Sequence, residues 1–214
     1  MALRHRHRSR LLGDTLTRSY DKAYFDKWYR HPTHRVKSAV ELKRQVEFVL
    51  HLAEWVLSRP VKSVLDVGCG EGNWRAPLKR LRPKLHYDGV DPSEYAVARF
   101  GARRSLQLGS IEDLDTLPLR DSYDLIVCCG MLNYLPLTTL CGGLAQVARR
   151  TAGVAYLELF TRTDGFEGDT NWAAPRPAAE YRRMFRAAGL TSIGMHGYVR
   201  ANQRDLVSAL ERLD

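Results

Sequence analysis

The residues able to do chemistry are densest in Val64-Leu-Asp-Val-Gly-Cys-Gly-Glu-Gly-Asn-Trp74. A short apolar run, Val64, Leu65 and Val67, encloses Asp66 and breaks into Gly68, Gly70 and Gly72. Asn73 then offers a helix N-cap ahead of helical spacing. Strand, glycine turn and helix make half of a nucleotide-binding unit, because glycine admits positive φ and lets a ligand approach the main chain. A pyrophosphate on the helix N-terminus calls for the spacing G-x-G-x-x-G. The spacing here is G-x-G-x-G, and Glu71 sets a negative charge where a pyrophosphate would lie. A cationic ligand without phosphates suits this loop better, which argues against a nicotinamide dehydrogenase.

A second acidic group follows at the right distance. Leu85-His-Tyr-Asp-Gly-Val-Asp91 reads as the next strand, and Asp91 ends it 19 residues after Gly72, followed by Pro92 and Ser93. A carboxylate at that tip can accept from both hydroxyls of a ribose. Ser93 is the better N-cap for the helix that follows, which leaves Asp91 for the ligand.

These motifs resemble those of the class I S-adenosylmethionine (SAM)-dependent methyltransferases. The resemblance covers about residues 61–160. It implies SAM as cofactor and S-adenosylhomocysteine (SAH) as its product. It also implies that Asp66, Gly68, Cys69, Gly70, Gly72, Asp91 and Pro92 bind the cofactor, with Asp91 at the ribose. Gly109-Ser110-Ile111-Glu112-Asp113 resembles the family's adenine segment, with Ser110 where an Asp is frequent. Ile111 would stack on the ring and offer its N–H, and Ser110, Glu112 or Asp113 would take the amino group. Cys129, Gly130 and Met131, past the fourth strand, are expected against SAM. Leu132-Asn-Tyr-Leu135 resembles the family's Leu-His-Tyr-Leu, with Asn133 in the His place.

The elements that must position these groups alternate strand and helix. Strands are expected at 62–67, 85–91, 104–108, 123–129, 153–160 and 190–199, and helices at 73–81, 93–101, 138–150 and 177–188. Such alternation predicts an α/β fold: a doubly wound, mostly parallel sheet with helices on both faces. The tail from Asp205 has leucines at helical spacing, while the resemblance implies a final antiparallel strand; either assignment stands.

Ahead of the first strand, 35–58 reads as a long helix stopped by Arg59-Pro60. Residues 18–31 carry Tyr20, Tyr24, Phe25 and Trp28 at helical spacing. The resemblance implies a helical lid here, with Tyr20, Tyr24 and Tyr29 at the methionine part or the acceptor. The chain thus divides into a flexible basic tail (1–17), a lid and first helix (18–60), and a SAM-binding domain (61–214).

A methyl acceptor that begins protonated needs a base. The candidates are His196, Glu158, Tyr24 and Tyr29, with His31, His34 and Asp169 behind them. The connection of about 16 residues from Thr161 to Arg176 lies on the binding edge, a length usually functional.

Charge and cysteines bound the rest. The net charge is +9, yet residues 1–44 hold 12 Lys/Arg and four Asp/Glu, so the body is close to neutral. That favours a small-molecule acceptor over RNA or protein, the alternatives that the basic head suggests. A SAM-binding protein without turnover is the other alternative. The four cysteines, Cys69, Cys128, Cys129 and Cys141, form no C-x-x-C pair and have no His at ligand spacing, so no metal site is expected. Reduced thiols, no secretory apolar segment and no run of ~18 apolar residues point to the cytoplasm and away from the membrane.

Overall fold

The computed structural model describes residues 20–165, 169 and 176–213. The basic tail and parts of the Thr161–Arg176 loop, including its Phe166, Glu167 and Trp172, lie outside the described residues.

Seven strands form one sheet in the order β3-β2-β1-β4-β5-β7-β6. They are β1 Ser63–Val67, β2 His86–Asp91, β3 Leu106–Leu108, β4 Tyr123–Cys129, β5 Thr151–Glu158, β6 Leu190–Gly194 and β7 Gly197–Arg200. The first five pair parallel, and β7 joins antiparallel to both β5 and β6. The winding reverses between β1 and β4, so the loops after these two strands share one crevice.

β1 is buried along its whole length, and its side chains alternate between two cores. Val64, with Leu125 and Val154, packs towards α2 (Ala39–Leu57), α3 (Arg75–Leu81) and Phe100 of α4 (Glu94–Arg104). Leu65 and Val67, with Ile126 and Ala155, pack towards α5 (Leu137–Arg150) and α6 (Ala178–Ala187). Helices therefore cover both faces. No helix among the described residues is long and apolar enough to cross a membrane.

Several boundaries differ from the sequence expectation. α3 begins at Arg75 with Trp74 at its cap position, and Asn73 does not cap it; its Oδ1 accepts from Arg104 Nη1 at 3.0 Å. The expected strand 190–199 is a hairpin, because Met195 and His196 take φ of 49° and 60° and turn the chain. β7 is thus the final antiparallel strand. The tail is neither long helix nor strand, but a 3-10 segment Ala201–Leu206 and one bridge between Leu213 and Ser192. α2 starts later than expected, at a full capping box between Ser38 and Glu41.

The expected aromatic lid helix is a single α-turn, α1 (Lys22–Phe25), that runs into a π-helical turn, Asp26–Arg30. The wider turn matters, since i→i+5 geometry brings Tyr24 and Tyr29 to the same side.

Candidate functional site

The glycine loop follows β1 directly. Gly68, Gly70 and Gly72 all have positive φ, between 55° and 70°. Gly68 and Cys69 donate their N–H groups to Val90 O at 2.8 and 3.2 Å, which ties the loop to β2. A Cβ at Gly68 would strike the Met131 side chain, and one at Gly70 would strike the Tyr29 hydroxyl. Gly72 lines neither of the two cavities described below and serves the turn, packed beneath Leu106.

Asp91 stands opposite. Its Oδ2 accepts from Gly70 N at 2.6 Å and its Oδ1 from Ser93 N at 2.9 Å. Two of the roughly four lone-pair sites of a carboxylate are thereby used, which leaves acceptor capacity for two hydroxyls. Burial raises the Asp91 pKa, against the pull of the two N–H donors. Ser93 caps α4 by accepting from Ala96 N at 3.0 Å. Asp66 is 2% exposed and accepts from Tyr87 Oη at 2.7 Å. Burial pushes it up to about 7, with Tyr87 opposing and the Asp91 charge adding.

Two cavities open beyond these strand tips. The first is lined by Asp91, Pro92, Ser110 and Ile111, residues expected around ribose and adenine, and also by Met131 and Tyr20. Ile111 is fully buried at its wall. Ser110 donates through both its N and Oγ to Asp113 Oδ2, at 2.7 and 2.9 Å. That engages Asp113 within its own turn. Glu112 is exposed and lies outside the lining, whereas Ser110 and Ile111 belong to it.

The second cavity shares Tyr24, Tyr29, Gly68, Cys129, Gly130 and Tyr134 with the first. Two ligands, or two ends of a reacting pair, can therefore meet at Gly68 and Gly130. Beyond that junction the walls are aromatic, with Trp28, Trp74 and Phe160. Asp66, Asn73 and Asp169 also line it, and Lys37, Gln45 and Glu158 form a linked polar cluster on its wall. Lys37 Nζ donates to Glu158 Oε2 at 2.8 Å and Oε1 at 3.1 Å, and to Gln45 Oε1 at 2.7 Å. Gln45 Nε2 donates to Glu158 Oε2 at 3.0 Å and Tyr156 Oη at 3.2 Å.

Burial would raise the Glu158 pKa, but Lys37 and Gln45 outweigh it and hold the carboxyl below its usual range. Glu158 is therefore anionic and a weak base. Burial also drives the Tyr29 phenol and the Cys69 and Cys129 thiols far upward, so none of them supplies a ready anion. The chemistry open to this arrangement is orientation of an acceptor that is already nucleophilic.

The N-terminal segment is a strap over both cavities. Ser93 Oγ donates to Tyr20 O at 2.5 Å, Arg30 Nη2 pairs with Glu71 Oε1 at 2.5 Å, and the Phe25 and Tyr95 rings stack at 5.7 Å. Opposite the strap, Asn133 ties down the chain after β5. Its side chain donates to Phe160 O and accepts from Phe160 N, and Tyr134 Oη donates to Asp169 O. Asn133 in the place of a His is thus a structural brace. Asp169 lines the second cavity.

The structure brings most of the expected residues together and separates a few. Tyr24, Tyr29 and Glu158 line the second cavity. His196 does not: it is exposed on the hairpin turn with its ring edge-on to Tyr156, at 5.9 Å. His31 and His34 stack on each other at 4.6 Å, exposed and outside both linings. Lys37 and Gln45 are functional-site residues that the sequence reading missed. Gln45 carried a signal, as a polar residue beside the buried face of Val46 and Val49. Lys37 carried none, lying between elements. No cluster of three or more metal-ligating side chains occurs among the described residues.

Known proteins resemble this chain in sequence and in fold. A family model described as "Methyltransferase domain" matches residues 11–195. A malonyl-[acyl-carrier protein] O-methyltransferase of Bacillus cereus is 32% identical over 74 residues, 34% of this chain and 28% of that protein. A trans-aconitate 2-methyltransferase of Deinococcus radiodurans is 35% identical over 78 residues, 36% of this chain and 30% of that one. The matched stretch thus spans under a third of the length of these curated relatives. A sugar N-methyltransferase from Streptoalloteichus superposes with a TM-score of 0.64 at 17% identity, over 93% of this chain and 99% of that chain. That likeness is one of fold.

Proposed function

The chain belongs to the methyltransferase-domain family, and on that premise we propose that it transfers a methyl group from SAM to a small-molecule acceptor. The observation that carries the reading is the junction of the two cavities at Gly68 and Gly130, with Asp91 bonded to the glycine loop on one side and Glu158 on the other. The residues fit SAM by the chemistry of their donors and acceptors. Asp91 has capacity for two ribose hydroxyls, Ile111 offers an apolar wall to adenine, and Asp66 offers a buried carboxylate to the ammonium of the methionine part. Gly130, which lines both cavities, has open space where a Cβ would stand and so leaves room for a ligand beside the main chain.

When bound, SAM supplies a methyl group on a sulfonium, a good leaving group, and leaves as SAH. The protein's share is to hold the acceptor in line and to keep water out. Tyr24 and Tyr29, which line both cavities, roof the junction and do the second task. A small acceptor is supported by the aromatic walls of the second cavity, with Trp28, Trp74 and Phe160 around it. The relatives' names, which speak of malonyl-[acyl-carrier protein] and trans-aconitate, agree with a modest acceptor group. Four free cysteines suit a reducing compartment such as the cytoplasm.

Calorimetric titration with SAM and SAH tests the reading, followed by methyl transfer from radiolabelled SAM to a panel of small acceptors. Binding of both ligands with one site per chain is expected. Absence of binding by either ligand overturns it.

A further inference from the structure

The cations of α4 gather on one face and lack acidic partners. The helix carries Arg99, Arg103 and Arg104 against one acid, Glu94 in its first turn. All three guanidiniums stand around the Phe100 ring, at 5.5, 5.7 and 4.3 Å from its centre. Arg99 and Arg103 are exposed, and none of the three pairs with a carboxylate among the described residues. Arg104 Nη1 donates to Glu71 O at 2.5 Å and to Asn73 Oδ1 at 3.0 Å, which holds it against the end of the glycine loop. The Glu71 carboxylate itself is taken by Arg30, a fourth cation beside the other three. Burial draws the Arg104 pKa down, and Arg103 and Arg30 repel its charge further while Glu71 opposes them. Like charges one turn apart on a helix, as Arg99 and Arg103 are, destabilise it, and an anion over the face offsets that repulsion.

We propose that this face of α4 binds the phosphate backbone of a nucleic acid. None of the three arginines lines either cavity, so a nucleic acid here is a docking partner and not the methyl acceptor. Three observations choose nucleic acid among polyanions. Residues 1–19 add Arg4, Arg6, Arg8, Arg10 and Arg18 against a single acid, Asp14. The chain enters the described structure at Tyr20, whose carbonyl accepts from Ser93 Oγ, the N-cap of α4. α4 has 11 residues, roughly 16 Å of rise, so the basic stretch joins the body within one helix length of Arg103. A basic N-terminal arm beside a basic helix suits a run of phosphates. The cations are also arginines, whose planar fork engages phosphate oxygens in pairs. Finally, no large apolar side chain of α4 is exposed, as burial in an anionic membrane surface would need.

The test titrates a labelled single-stranded RNA of about twenty nucleotides with the full chain over a salt series, with fluorescence anisotropy as the readout. Binding that weakens steeply with salt is expected. Arg99→Glu with Arg103→Glu should weaken it tenfold or more at unchanged Tm, and the loss of two phosphate contacts should flatten the salt slope by about 1.4. Arg99→Lys with Arg103→Lys should keep most of the affinity. If the glutamate pair lowers Tm, Arg99→Gln with Arg103→Gln takes its place, with a loss of at least fivefold expected. Arg182→Glu with Arg183→Glu makes the same change of charge on the exposed face of α6 and should weaken binding less than threefold. The proposal fails if the RNA does not bind, or if the α4 and α6 variants weaken binding equally, which would make the attraction one of whole-chain charge. It fails if the α4 variant binds as wild type does, which would leave the binding to residues 1–19 alone. It also fails if poly-glutamate of equal charge displaces the RNA as well as unlabelled RNA does, since the partner would then be an acidic polypeptide.

Discussion

The Gly70 N–H donates to Asp91 Oδ2 at 2.6 Å, joining the loop after β1 to the tip of β2. The same carboxylate accepts from Ser93 N, so it is fixed between two main-chain donors before any ligand binds. Pre-organisation of this kind lowers the ordering cost of binding. Asp91→Asn keeps the shape but turns half of the acceptor group into a donor that faces other donors. We expect SAH affinity to fall by at least tenfold, on the scale of about 1.5–3 kcal/mol for a hydrogen bond to a charged group. Calorimetry with SAH checks it, and an unchanged Kd would remove Asp91 from the ribose site.

Asp66 makes stability and binding depend on pH. Its folded pKa, about 7, lies above the ordinary value of 3.8. The folded state therefore holds the proton more tightly than the unfolded chain. The stability this provides is complete below about pH 4 and is lost as pH rises towards 7. Asp91, also raised, adds in the same direction. Thermal melts of the ligand-free protein should show Tm falling between about pH 4 and 7, with a smaller fall in Asp66→Asn. An ammonium placed against Asp66 favours the carboxylate, so SAM uptake at pH 6 should release protons. Calorimetry in two buffers of different ionisation enthalpy measures that release; equal apparent enthalpies would contradict it.

The strap is held in part by Arg30 on Glu71. Arg30 is 42% exposed and Glu71 only 6%, so removal of the arginine leaves a covered carboxylate without its cation. Arg30→Ala should speed SAH dissociation several-fold, and the difference should shrink at high salt because the arginine side is screened. Stopped-flow displacement reads the rate. A variant with wild-type dissociation would show that the strap is held by Phe25 on Tyr95 and Tyr20 on Ser93 alone.

Much of the sheet and half of the site could be read from the chain because they rest on local rules. β1, its glycines and Asp91 are set by strand periodicity, positive φ and spacing, all of which are sequence-local. The 190–199 stretch was misread because Met195 and His196 adopt left-handed backbone that neither residue type advertises. The aromatic stripe was legible, but its π-helical turn was not, since that turn depends on how Tyr29 seats against Gly70. Lys37 meets Glu158 across 121 positions of sequence. Such a pair follows from the fold, not from any pattern along the chain. Conversely, Asn133 was legible as a departure from a His, while its service to Phe160 became visible only with the loop in place.

His196 stands as a control. It is exposed on a hairpin turn and lines neither cavity. His196→Ala should leave kcat within about twofold. A small loss of Tm is expected, because alanine is strained at a φ of 60°. A tenfold loss of kcat with unchanged SAH affinity would restore His196 as a catalytic base.

Gly143 links α5 to the adenine wall. A Cβ there would come within 2.6–2.8 Å of three Ile111 side-chain atoms. Ile111 is fully buried and β-branched, so it cannot swing aside without moving its neighbours. Overpacking of this kind costs about 1–3 kcal/mol, and the helix-propensity gain of alanine over glycine returns roughly 1. Gly143→Ala should therefore lower Tm modestly. The more telling effect is on the ligand, because Ile111 lines the first cavity and relief in that direction narrows it. SAH affinity should fall several-fold from a residue that lines neither cavity. Ile111→Val in the same chain, by removing a methyl group, should restore part of that affinity. If Gly143→Ala alters Tm but not the SAH Kd, Ile111 is a core residue and the adenine ring packs elsewhere.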